Sequence, residues 1–365
     1  MRDLSKQNIL FFTRTMELGG TENVILQLCE TFKPLVNKIV VCSSGGVNEK
    51  KLKELNIKHY NIPDIENKNP SCIITVSKML KKIIKNENIT VVHTHHRMAA
   101  FYVAFLKIYK KCLFINTSHN TFDNKVKFTR YAYKHANLVA CGEMVKKNLV
   151  ETFGLPEKQV TVILNAVKPF VDQIKVDPLI KQLHEKGCFV VGNIGRLSEQ
   201  KGMEYFIAAI PTIKLYMNNV KFVIVGTGED EKKLMNLVTK LNLQEDCYFL
   251  GYRSDVQNLM SQLDLVVLSS LWEGLPLTPI EAFSVGRTVV ATAVDGTVEI
   301  VNDGVNGYFV SPKNSLEIAE KVVEVLQNKE LRNSFEKEAL QTYEDDFSFN
   351  QLKNSYKSYY ESRLV

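Results

Sequence analysis

The chain has 365 residues, 45% of them hydrophobic and 24% charged, and a formal net charge of +6. That length exceeds one ordinary core, so two domains are expected, and the composition is that of a soluble globular protein. The seven cysteines include no CxxC pair and sit mostly in apolar segments, which excludes a disulfide framework and a zinc site. No apolar run approaches the ~20 residues needed to span a bilayer. The apolar stretch Ile9 to Phe12 is too short for a signal peptide. Reduced thiols and no span point to the cytoplasm.

The charge is uneven. Residues 1–184 hold 28 Lys+Arg against 15 Asp+Glu, whereas residues 185–365 hold 18 against 25. A basic first half suggests an anionic partner, such as nucleic acid or a membrane surface with acidic lipids. Solvated lysines explain the same excess equally well.

Short β-branched runs alternate with helical patterns along the first half. Strands are predicted at Asn8–Phe12, Lys38–Cys42, Lys58–Ile62, Thr90–His93, Leu113–Asn116, Leu138–Cys141 and Val160–Leu164. Helical patterns between them include Glu22–Phe32, Cys72–Lys85 and Phe101–Lys110. The polar stretch Lys168–Gly187, with Pro169 and Pro178, is predicted to be a linker. The alternation restarts at Phe189–Ile194 and continues through Lys221–Val225, Tyr248–Leu250, Asp264–Leu268, Thr288–Ala291 and Tyr308–Val310. Phe347–Arg363 is predicted to be a final helix. Repeated β-α alternation implies an α/β fold of parallel sheets covered on both faces. The expected division is 1–168, a linker at 169–187, a second Rossmann-like domain at 188–345, and a C-terminal helix at 346–365 crossing back to the first domain. The two domains are expected to face a cleft.

Several turns carry chemistry. Gly19-Gly20-Thr21-Glu22 follows the first strand and opens a helix, where backbone N–H groups can approach an anion. Thr21 serves equally as a simple N-terminal cap. His93-Thr94-His95-His96 closes the fourth strand and His119 closes the fifth, at the strand ends where parallel sheets bind ligands. His93 and His95 share a strand face, yet no acid or cysteine pairs with them, so hydrogen bonding to a hydroxyl or phosphate is favoured over a metal. Arg196 and Lys201, in Gly195-Arg196-Leu197-Ser198-Glu199-Gln200-Lys201-Gly202, bracket a helix start and suit a diphosphate without a metal. Val225-Gly226-Thr227-Gly228-Glu229 is a further glycine turn, but the dinucleotide fingerprint is incomplete, which counts against a nicotinamide enzyme. Tyr252 follows the next strand, where it suits stacking on a flat base, and Asp255 serves equally as a helix cap. Asp264–Leu268 leads into Glu273-Gly274-Leu275-Pro276-Leu277-Thr278-Pro279-Ile280-Glu281, in which two carboxylates flank a turn. Asp-x-Asp, Gly-x-Ser-x-Gly and the P-loop are absent.

Taken together, Gly19-Gly20-Thr21-Glu22, Thr117-Ser118-His119, Gly195-Arg196 with Lys201-Gly202, and Glu273 to Glu281 resemble a retaining glycosyltransferase of the GT-B fold, family 4 type. The likeness to these bacterial polysaccharide group 1 transferases runs nearly end to end. It implies that Glu281, placed at a helix start, accepts from the donor ribose, and that Glu273 faces the transferred sugar. Gly274, Leu275, Pro276, Leu277 and Thr278 would then offer groups to sugar hydroxyls and phosphate. Arg196 and Lys201 would bind the diphosphate, with Gly19 and Gly20 closing over it. His119 would bond the sugar or polarise the reacting centre, and His95 and Gly228 join the substrate-binding set. Asp295-Gly296-Thr297-Val298-Glu299 matches a family loop near the nucleotide.

The resemblance further implies same-face attack with the leaving phosphate taking the acceptor's proton, a donor that is most often a UDP-sugar, and no cofactor or metal. Lys107, Lys110, Lys111, Lys125, Lys127, Arg130, Lys134, Lys146 and Lys147 interleave with Phe101, Tyr102, Tyr109, Phe122, Phe128, Tyr131 and Tyr133. That pattern suits an anionic membrane surface and a polyprenyl-pyrophosphate-linked or glycan acceptor, on a protein peripheral to the inner face of the cell membrane. Nucleic acid is not the expected partner. A non-catalytic nucleotide-sugar-binding subunit, a sugar phosphorylase and an epimerase remain alternatives on related folds.

Overall fold

The computed structural model describes residues 3–364, so Met1, Arg2 and Val365, at the outer ends of the expected first domain and tail, lie outside the described residues. The chain forms two compact units, Met1–Asn165 with Asn350–Val365, and Ala166–Phe349.

The first unit holds seven strands: β1 (Asn8–Phe12), β2 (Lys38–Ser43), β3 (Lys58–Asn61), β4 (Val91–Thr94), β5 (Leu113–Ser118), β6 (Asn137–Ala140) and β7 (Val160–Val162). Their order is β3-β2-β1-β4-β5-β6-β7, and every pairing is parallel. β1 is buried at every position, as a central strand covered on both faces must be. Its neighbours β2 and β4 connect in opposite directions along the sheet. The β1/β4 boundary is therefore the switch point, and the crevice beyond the strands' carboxyl ends there is where such sheets hold ligands.

The second unit repeats the plan with β8 (Phe189–Ile194), β9 (Val220–Val225), β10 (Cys247–Phe249), β11 (Leu265–Leu268), β12 (Val289–Thr292) and β13 (Gly307–Val310). The order is β10-β9-β8-β11-β12-β13, again all parallel, so its switch point lies between β8 and β11. Helix Met203–Tyr216 packs Phe206, Ile207, Ile210 and Ile213 onto Phe222, Ile224, Leu265 and Val267 of the sheet. At ~25 cal/mol per Å² of apolar surface, this layer is what holds the strand ends in place.

All thirteen predicted strands are present. The stretch predicted as a linker instead contains a helix, Pro178–Glu185. Asp177 accepts hydrogen bonds from the Leu179 and Ile180 amides, and Pro178 occupies the first helical position, where its missing N–H costs nothing. The final helix is Phe349–Arg363, and from Asn350 it belongs to the first unit. Among the described residues no helix is long and apolar enough to cross a membrane.

Candidate active site

In the second unit the turns after β8 and β11 bring charge together. Lys201 Nζ lies 2.5 Å from Glu273 Oε1, and Ser270 Oγ donates to the same oxygen at 2.7 Å. Glu273 is 7% exposed, so its carboxylate is compensated by an ammonium and a hydroxyl instead of by water. Ser269 fixes the lysine from behind. Its hydroxyl donates to the Lys201 carbonyl at 3.0 Å and accepts from Asn193 Nδ2 at 2.9 Å. Gly202 adopts φ +54°, and a Cβ there would strike the Ser269 carbonyl, so glycine is required at this crossing. The Glu273 amide donates to Asp295 Oδ2 at 3.2 Å. Gly296 sits so close to the Gly274 carbonyl that a Cβ would collide with it, which locks the Asp295–Glu299 loop onto the turn.

Glu281 is half-buried and its carboxyl is pushed up to about 7 by desolvation, partly offset by the Lys201 charge. It is not at a helix start. The helix is Leu277–Phe283, and Glu281 is past its first turn because Leu277, Thr278 and Pro279 open it. Gly274, Leu275 and Pro276 are buried, and Leu277 and Thr278 are half-buried. Arg196 is exposed on the turn after β8. That turn is stitched to the one holding Gly228: Leu197 N donates to the Thr227 carbonyl at 3.0 Å and Asp230 N to the Leu197 carbonyl at 2.9 Å. Tyr252, 53% exposed, stands on the turn after β10. Asp255 occupies the cap position before Val256–Met260 without a side-chain cap bond; Arg253 holds it at 2.8 Å instead.

In the first unit the histidines form a ladder, with His93 and His95 buried and His119 half-buried. The His93 and His95 rings stack at 4.3 Å and the His95 and His119 rings at 5.3 Å. His95 Nδ1 lies 3.0 Å from His119 Nε2, so one ring donates to the other. Burial pushes His93 and His95 well below the usual histidine range and His119 down to about 4, and all three are neutral at pH 7. A cavity of about 360 Å³ opens beside them, lined among others by Thr21, Glu66, Lys68, Arg97, Thr117 and Lys125. Arg97 is anchored on the Asn124 side chain at 3.2 Å and lies over the Phe122 ring at 4.9 Å. Helix Gly20–Phe32 is capped by Gly19, so Thr21 is already helical and is not the cap.

Of the interleaved aromatics, Tyr102 and Tyr133 are core residues, 0% and 2% exposed. Phe101 stacks with Phe105 at 5.6 Å and with Phe128 at 5.0 Å, and Phe105 and Tyr131 are 49% and 48% exposed.

The chain matches the family described as Glycosyltransferase Family 4 over residues 18–169 and that described as Glycosyl transferases group 1 over residues 178–342. An uncharacterized glycosyltransferase of Methanocaldococcus jannaschii is 28% identical, covering 82% of this chain and 87% of the relative. The UDP-Gal:alpha-D-GlcNAc-diphosphoundecaprenol alpha-1,3-galactosyltransferase of Escherichia coli is 27% identical over 86% of each. The crystal structure of a glycosyltransferase from Rickettsia africae superposes with a TM-score of 0.85 at 23% identity, covering 98% and 99% of the two chains.

The protein is a GT-B glycosyltransferase of family 4 type.

Within this transferase the structure joins Lys201 directly to Glu273 and His95 to His119. It leaves Tyr252 and Arg196 on exposed turns. The sequence assigns no role to Ser269 or Ser270, and it holds Thr117 and Asp295 only as members of motifs without a role of their own. Ser270 was legible as a hydroxyl just before the Glu273 turn; the others depend on contacts between segments far apart in the chain.

Proposed function

We propose that the transferase moves a hexosyl or N-acetylhexosaminyl residue from a UDP-sugar to a polyprenyl-pyrophosphate-linked or glycan acceptor, with retention of configuration, in surface polysaccharide synthesis. The observation that carries this reading is the Lys201–Glu273 pair beside Glu281 at the β8/β11 switch point. Breaking a sugar–phosphate bond leaves charge on the diphosphate, and a fixed cation there lowers the barrier by a few kcal/mol, of order 3. Lys201, held in register by Ser269 and Glu273, is such a cation, and Arg196 adds a second from the same turn after β8. No metal is invoked: these two side chains neutralise the leaving group. The half-buried Glu281 accepts from the ribose hydroxyls. Neutral His119 bonds the sugar, and same-face attack passes the acceptor's proton to the leaving phosphate.

The name of the E. coli relative, which contains both UDP-Gal and a diphosphoundecaprenol acceptor, supports the choice of donor and acceptor. The exposed Phe105 and Tyr131, packed with half-buried Phe101 and Phe128 and flanked by Lys127, Arg130 and Lys134, support a peripheral site on an anionic membrane surface. Nucleotide release from a panel of UDP-, GDP- and ADP-sugars, with and without chelator, tests the donor and the metal independence together. Release from UDP-sugars alone, unaffected by chelator, is expected. Near-normal release by both Glu281→Ala and Lys201→Ala would sink the site assignment. Sedimentation with anionic liposomes at low salt tests the membrane surface, and its absence would remove that part.

A further inference from the structure

Helix Phe349–Arg363 carries Tyr356 and Tyr360 into the interior of the first unit, 2% and 0% exposed. Phenol hydroxyls in a core are costly unless bonded. Tyr360 Oη lies 2.7 Å from His93 Nδ1, and His93 Nε2 lies 2.8 Å from Thr117 Oγ1. Tyr356 Oη lies 3.1 Å from the same threonine oxygen. These four side chains form one continuous network at the closed end of the histidine ladder.

The network has a surplus hydrogen. Neutral His93 carries one, and each of the three hydroxyls carries one, while only three contacts join them. Where the surplus falls decides what the network does. If His93 were protonated on Nδ1, it would donate to Tyr360, and the Tyr360 hydrogen would be stranded in the core, where the Phe32 ring packs at 4.3 Å. If His93 is protonated on Nε2, Tyr360 donates to Nδ1 and His93 donates to Thr117. Tyr356 then donates to Thr117 as well, since Tyr356 does not line the cavity that could take its hydrogen, whereas Thr117 does. This arrangement leaves both phenol hydrogens bonded and moves the unbonded one to Thr117, which is 2% exposed to bulk water but, unlike the two tyrosines, borders the cavity. The surplus is then the Thr117 hydroxyl hydrogen, and Thr117 lines the cavity beside His95 and His119.

We propose that Thr117 is a substrate-binding hydrogen-bond donor, and that Tyr356 and Tyr360, through His93, are positioning residues that turn its hydroxyl outward. The ligand group it takes is a sugar hydroxyl oxygen. Its own partner His93 is neutral, and a neutral donor suits a hydroxyl, while Lys68, Arg97 and Lys125 on the same cavity are the groups suited to a phosphate. The identity of the sugar rests on the transferase reading above; the direction of the hydroxyl does not.

Two experiments test this on the full-length protein. The ring ¹⁵N shifts of His93 at neutral pH are expected to show Nε2 protonated and Nδ1 bare. The reverse tautomer overturns the proposal whatever the activity. With UDP-glucose as probe, Thr117→Val is expected to lower kcat/KM about tenfold, the value of one lost hydrogen bond. Thr117→Ser restores it to within about twofold, because the hydroxyl returns. Tyr360→Phe, which frees His93 to change tautomer, is expected to reduce kcat/KM more than Tyr356→Phe, after which Thr117 still accepts from His93. Equal specific activity of all four folded variants, with only their melting temperatures lowered, would reduce the network to a structural role and overturn the proposal. Failure of the unaltered protein to turn over any UDP-sugar would sink the donor reading, and the His93 tautomer would still decide the direction of Thr117.

Discussion

The two units place their polar residues at the same point of the same architecture, the carboxyl ends of the strands at a switch point, and fill it with opposite chemistry. In the first unit the group is His93, His95 and Thr117, buried, with half-buried His119, and all are uncharged. In the second it is Lys201, Glu273, Glu281 and Arg196, where charge is paired, shared or exposed. One topology thus presents two kinds of chemistry: neutral hydrogen-bonding groups of the sort that suit hydroxyls, and charged groups of the sort that, on the proposed function, suit a leaving diphosphate.

The sharpest way to break this contrast is to remove charge from the second unit. Lys201→Ala leaves the 7% exposed Glu273 carboxylate without its ammonium. Loss of one partner of a buried pair costs about 3 kcal/mol, so thermal unfolding should fall by several degrees along with loss of nucleotide release. Lys201→Met combined with Glu273→Gln should recover the stability and not the activity, since it replaces the pair by neutral groups. Recovery of both would show the pair to be structural only. Next in size is His119→Ala, expected to lower kcat by about a hundredfold while changing stability little, because a neutral ring is lost without leaving a charge behind. A loss below about threefold would place the sugar contact elsewhere.

Acidity separates the units by sign. His119 titrates at about 4 folded and near 6.5 unfolded, so between those values only the unfolded chain takes the proton. Stability from the ladder is therefore complete above the upper value and is lost as pH falls toward the lower. Glu281 runs the other way. Between 4.5 and about 7 the folded chain keeps a proton that the unfolded chain has lost, so its contribution declines as pH rises through that window. Denaturant titration should show Glu281→Gln removing the decline and His119→Asn weakening the acid loss. Slopes unchanged in both variants would contradict the assigned protonation states. The smallest effect is reserved for Arg196→Ala. Its exposed side chain should change stability by no more than ~0.5 kcal/mol, while donor KM rises if it binds the diphosphate; an unaltered KM would remove Arg196 from the site.

The strands were fully legible because β-branched runs at a central sheet position have little alternative. The Glu273 turn and the Gly195–Gly202 turn were legible as motifs, but their junction through Ser269 and Asp295 was not, since it depends on which loops the sheet order brings side by side. Pro178 in a polar stretch reads as the mark of a linker, although Asp177-Pro178 is equally the opening of a capped helix. Tyr102 and Tyr133 were counted with the surface aromatics because residue type alone does not tell which side of a helix faces the core. Tyr360 and His93 stand 267 positions apart, beyond the reach of any local pattern.

The return of helix Phe349–Arg363 to the first unit has a consequence for how the protein is made. A ribosome delivers the first seven strands long before the segment holding Tyr356 and Tyr360, so the nascent first unit carries His93 and Thr117 without their phenol partners throughout synthesis of the second. The first unit therefore matures last although it is translated first, and a message cut short within the final helix would yield a chain whose sheet is complete and whose histidine ladder has no floor.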